Sequence, residues 1–165
     1  MDALDELTKR LVLLHDQMEQ LLCALDIQQL VLANNRLRWL PAVTESVEML
    51  VHEIHLSESE RLPVAHEVAA SLGVAPEATL AEMADAAGEP YRSTWRRTRL
   101  GLLALHREVD QVTAANRELS RHGVLAANEV ITTIGGTGEP EPAAYSASGQ
   151  SAPIRQTTHR FDRTA

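Results

Sequence analysis

Histidine and carboxylate groupings are the residues of this chain that could do metal chemistry. His52-Glu53-Ile54-His55 places two imidazoles three residues apart with a carboxylate between them, and His66-Glu67 follows further along the same stretch. A zinc-peptidase helix needs its histidines four apart, with glutamate next to the first. Residues at i and i+3 can still share a ligand on one helix face. A metal-dependent bundle enzyme built on His52, His55 and Glu67 is therefore one reading. Di-iron bundle sites use glutamate plus Glu-x-x-His from two helices. His52-Glu53-Ile54-His55 does not have that form, and Glu48 to His52 is Glu-x-x-x-His. The spacing favours solvent-facing histidines beside an acidic stripe.

No other catalytic pattern stands. The chain has no GxSxG, no CxxC and no glycine-rich loop ahead of a helix. Gly135-Gly136-Thr137-Gly138 follows a predicted helix, the wrong end for holding a phosphate. Nothing in the pattern brings His15, His106 and His122 together. The expectation is a protein that is not an enzyme and holds neither cofactor nor metal.

What these residues ride on is helical. From Tyr91, alternate steps of four and three pass through Trp95, Thr98, Leu102, Leu105, Val109, Val112, Asn116, Leu119, Gly123, Ala126, Val130 and Thr133. That is a heptad seam held over about six repeats. Pro90 suits the first helical position and Gly135-Gly136 suits the end. At 1.5 Å per residue, a helix over 90–134 spans roughly 66 Å. The seam starts bulky and apolar. From Asn116 it turns small and polar, with Val124, Leu125, Ile131 and Ile134 beside it. Such an end packs weakly on its own chain and invites a second one.

Composition agrees. The 165 residues are 44% hydrophobic but only 3% aromatic, which suits a bundle better than a sandwich or barrel. The net charge of −8 argues against nucleic acid as a partner. Residues 44–89 carry ten acidic side chains against Arg61 alone, while 90–134 carry seven arginines against four acids. Arg92, Arg96, Arg97 and Arg99 are expected to lie near the acidic segment in an antiparallel bundle. Cys23 is the single cysteine, excludes an intrachain disulfide, and is expected to be a small core residue of an intracellular protein. Acidic amphipathic sequence follows Met1, and no apolar run approaches the roughly 18 residues of a membrane span. Neither a signal peptide nor a span is expected.

The remaining segments fit the same plan. Leu4, Leu7, Leu11, Leu14, Met18, Leu21 and Leu25 predict a helix over 2–25. A break at Leu25-Asp26, with Asp26 as a new cap, precedes a short helix to Ala33. A second long helix is predicted from Pro41 to Leu72, capped by Gly73 and kinked or broken near Pro63. Thr79 and Glu82 form a capping box for a short helix to about Ala87. The expected fold is all-α: an elongated antiparallel bundle or coiled-coil hairpin over 1–135, with a long last helix, and a flexible tail over 136–165.

Two stretches resemble a known family. LLCALDIQQLVLANNRLRWLPAVTESVEML (21–50) resembles the helix-break-helix opening of FlgN-type flagellar export chaperones, and LHREVDQVTAANRELSRHGVLAANEVITTI (105–134) resembles their long last helix. A short tail with Tyr145 and Gly149 also resembles the family, so the likeness spans roughly 4–149. The resemblance implies a cytoplasmic chaperone that binds the C-terminal helical segments of hook–filament junction proteins of the FlgK and FlgL kind. It would prevent their premature assembly and bring them to the flagellar type III export gate. By position, the client would be held by Asn116, Leu119, Val124, Leu125, Asn128, Ile131 and Ile134, and Tyr145 would contact the gate. A weak homodimer is compatible with this. The competing reading is a self-associating structural coiled coil without a client, in which a tight dimer uses the whole seam.

Overall fold

The computed structural model describes residues 2–134. The chain divides into two compact units, Met1–Ala126 and Ala127–Ala165. The first holds three helices entire, α1 (Ala3–Ala33), α2 (Leu40–Leu72) and α3 (Leu80–Ala87). A fourth, α4 (Tyr91–Ile134), runs through the boundary. Its residues to Ala126 are treated with the first unit and Ala127–Ile134 with the second. Every described element is helical, as the composition predicts: an all-α bundle.

Helix direction follows from the side-chain bonds. Arg10 pairs with Glu60 at 2.8 Å and Gln28 Nε2 donates to Thr44 Oγ1 at 3.1 Å, so α1 and α2 are antiparallel. Tyr91 donates to Asp5 at 2.8 Å, Trp95 Nε1 to Thr8 Oγ1 at 2.8 Å, and Asn116 Nδ2 to the Leu25 carbonyl at 2.9 Å. Both series ascend together, so α4 runs parallel to α1 and antiparallel to α2. The predicted seams of α1 and α4 are the faces turned inward, up to Leu119 on α4.

The best-packed part of the core lies where α3 crosses. Leu7, Val68, Ala69, Ala84 and Trp95 are fully enclosed there, with Leu11, Ala65 and Met83 beside them. Small residues on α2 and α3 leave room for the indole, and Tyr91 leans on it at 5.5 Å between ring centres. The capping box forms as predicted. Glu82 N donates to Thr79 Oγ1 at 3.3 Å, and Thr79 N donates to Glu82 Oε2 at 2.7 Å. The Thr79 N–H bond, with a second donated by the Thr79 hydroxyl at 2.8 Å, holds the Glu82 carboxyl below its ordinary range. Gly73 takes the left-handed cap at φ 69°, as expected of it. Arg92 and Arg96 both reach Asp85, the acid–arginine proximity that the charge pattern predicts.

Four expectations need correction. No break occurs at Asp26: α1 is continuous to Ala33, because Leu21 and Leu25 stay buried on one stripe while Asp26 points to solvent mid-helix. The true end is Asn34-Asn35, where Asn34 Nδ2 donates to the Leu30 carbonyl at 2.8 Å and Asn35 takes φ 51°. Pro63 does not break α2 either. It removes the bond to the Ser59 carbonyl, but Ala65, Val68 and Ala69 are buried immediately after it and hold the helix. Cys23 is exposed, since the buried stripe passes through Leu21, Ala24 and Leu25. Pro90 stands one residue before α4, which begins at Tyr91.

α1 and α4 approach closely at Gly101. A Cβ built there would stand 2.8 Å from His15 Nε2. The obstacle is the tip of a half-buried imidazole that can rotate away. Removing a mid-helix glycine is worth about 1 kcal/mol. Gly101→Ala is therefore expected to stabilise by less than that, and the same change in a His15→Ala background to gain the full amount, read by urea unfolding.

Candidate functional site

The residues expected to hold a partner fall into distinct environments. In the first unit, Asn116 is buried, with 5% of its surface exposed. Its Nδ2 donates to the Leu25 carbonyl at 2.9 Å and to Gln28 Oε1 at 3.1 Å. Two acceptors around one atom identify that atom as the nitrogen. The oxygen, Oδ1, is then buried without a donor. Leu119 is half-buried, whereas Val124 and Leu125 are 61% and 64% exposed. With Ser120 and Arg121 they line a shallow, almost wholly apolar hollow. Every residue from Arg121 to Ala126 is exposed. At 3.6 residues per turn, Leu125 points about 180° away from Asn116, so these two do not share a face.

In the second unit, Asn128 is exposed and Ile131 is 66% exposed, with Val130 beside it at 55%. Ile134 is the last residue of α4. Tyr145 lies outside the described residues. Large aliphatics this exposed on a helix are an interaction signal, because water gains nothing from them.

A second feature escaped the sequence reading. Along the first unit, α2 and α4 leave an open groove whose floor is the inner seam of α1. Above α3, Leu14, Met18, Ile54, Leu102 and Leu103 bound a cavity of about 370 Å³. Further on, Leu21, Leu25, Val47, Val51, Val109 and Asn116 bound one of about 630 Å³. Over residues 40–64, α2 buries no residue fully. The available signal was Val47, Val51 and Ile54, aliphatics on one side of α2 that line the two cavities.

The orphaned Oδ1 carries a stability cost of about 1–3 kcal/mol. Asn116→Leu removes it and extends the apolar seam. The variant is expected to unfold about 1–2 kcal/mol later than the parent, measured by urea titration. A loss of stability instead would mean that the Leu25 and Gln28 bonds outweigh the orphaned oxygen.

His52, His55 and Glu67 do not gather into a three-ligand group among the described residues. His15, Asp16 and Glu19 do, on α1, with His15 half-buried against Gly101 of α4 and its Nδ1 3.9 Å from Glu19. No described helix is long and apolar enough to cross a membrane.

Exposed aliphatics and an apolar groove are the surfaces on which helical proteins commonly take partners. A family model described as FlgN protein matches residues 1–153. The chain belongs to the FlgN family, a family of flagellar export chaperones. No curated protein and no solved structure matches it.

Proposed function

We propose that this chain is a cytoplasmic chaperone for hook–filament junction proteins of the FlgK and FlgL kind. It holds their C-terminal helical segments, prevents premature assembly, and presents them to the flagellar type III export gate. Family membership supports the class. The observation that carries the client reading is the set of bare aliphatics on α4: Val124 and Leu125 in the first unit, Val130 and Ile131 in the second. A secreted subunit's C-terminal segment is amphipathic and cannot bury its apolar face alone. Each pair gives it apolar surface to pack on. Burial supplies about 25 cal/mol per Å² before the costs of association. Leu119 in the first unit and Asn128 and Ile134 in the second are proposed as further client contacts, Asn116 is left out of the surface at Leu125, from which it points away, and Tyr145 is the proposed gate contact.

Light scattering and calorimetry on the full chain, alone and with a C-terminal peptide of a FlgK-like subunit, test this. A monomer or weak dimer that binds one peptide per chain with a negative heat-capacity change is the expected result. A tight dimer indifferent to the peptide would replace this reading with a self-associating coiled coil.

A further inference from the structure

The groove between α2 and α4 is long, apolar and empty where a bundle of this kind has room for another helix. α3 fills the base of that position with eight residues, Leu80–Ala87. Above it, the two cavities follow one another from Arg99 to Arg121 along α4. That stretch spans roughly 33 Å, the length of a helix of about 20 residues. Leu14, Met18, Leu21 and Leu25 of α1 line the two cavities together with residues of α2 and α4. Four-helix bundles fill such a groove with their fourth member.

The rims are charged with opposite sign. Glu48 and Glu58 lie on the α2 side, and Arg99, Arg117 and Arg121 on the α4 side. Glu58 is taken by Arg61 at 2.9 Å, and Arg121 stands 3.6 Å from Glu118. Glu48, Arg99 and Arg117 have no ion-pair partner among the described residues. A small molecule or acyl chain has no use for two unlike rims 33 Å long, by that same rise per residue. An amphipathic helix has: its apolar stripe enters the groove and its two flanks meet the rims.

We infer that the α2–α4 groove is a fourth-helix berth, filled by an amphipathic client helix of about 20 residues. That helix has an apolar stripe, a basic flank toward α2 and an acidic flank toward α4. The inference deepens the chaperone reading and rests on it for the source of the helix. The berth is a different surface from the bare aliphatics at Val124 and Leu125, so a client engages the chain at two places.

Val51 and Leu103 face the groove at its edges and are 37% and 39% exposed, so Val51→Glu and Leu103→Glu leave the folded core intact. Circular dichroism and thermal melting confirm that for each variant. Two fluorescent probes are titrated into the full chain by anisotropy: the C-terminal peptide of a FlgK-like subunit, and a synthetic helix with a leucine stripe, one lysine flank and one glutamate flank. Both probes are expected to bind, and each groove variant to bind them about thirtyfold more weakly. If the FlgK-like peptide binds Val51→Glu and Leu103→Glu as tightly as the parent and is lost only in Leu125→Asp, the berth is overturned and the chaperone reading stands. Groove-dependent binding of the synthetic helix alone keeps the berth and removes its proposed client. Binding of neither probe overturns both.

Discussion

Trp95→Ala is expected to cost about 3–5 kcal/mol of unfolding free energy, the range for deleting a large aromatic side chain from a packed core. The indole is fully enclosed at the α3 end of the first unit, against Leu7, Val68, Ala69 and Ala84. Alanine would leave a cavity bounded by α1, α2 and α3, and the last two have already placed alanines there. The indole also donates to Thr8 Oγ1 at 2.8 Å, and that hydroxyl donates onward to the Leu4 carbonyl at 2.8 Å. Trp95→Phe keeps most of the volume and loses the bond, so it should cost less than half as much. Urea titration of both variants checks the pair. A Trp95→Ala loss below about 1 kcal/mol, the typical effect of any point change, would show that this end does not hold the unit together.

Leu125→Asp is expected to weaken client-peptide binding about a hundredfold while leaving helicity unchanged. An exposed leucine at an apolar contact contributes by what it covers, and a carboxylate there must be desolvated for the partner to land. The helix itself tolerates the change. Leu125 is 64% exposed, so no internal contact is lost. The new carboxylate would follow Arg121 by four residues, close enough for a weak favourable pair. Calorimetry with the FlgK-like peptide and far-ultraviolet circular dichroism measure the two halves of this expectation. Undiminished affinity would remove Val124 and Leu125 from the client surface.

Much of the fold was legible because periodicity reports burial directly. The stripe from Leu4 to Leu25 and the seam from Tyr91 to Asn116 are the faces that turn inward. Thr79 with Glu82 and Gly73 cap where their chemistry says they must. Local signals failed where packing overrode them. Asp26 looks like a cap, yet Leu25 beside it is held under Asn116, and the helix runs on. Pro63 looks like a breaker, yet one missing bond is less than the burial that follows it. Cys23 was misplaced by one position on the wheel, since Ala24 took the inner face. The groove was hidden for another reason. Heptad reading takes Val47 and Ile54 as core positions, and only the placement of α4 shows that they line a groove together with Val51.

The direction of α4 has a consequence for how the chain assembles. Gln28 and Thr44 meet across 16 residues of chain, whereas Tyr91 must find Asp5 across 86 and Asn116 must find Leu25 across 91. Loop closure favours the shorter connection, so the α1–α2 hairpin can zip first. Trp95, which completes the cluster around Leu7 and Val68, leaves the ribosome after both of them. Until it arrives, the nascent hairpin presents Leu7, Leu11 and Val68 to water, and the newborn chaperone is itself an apolar client.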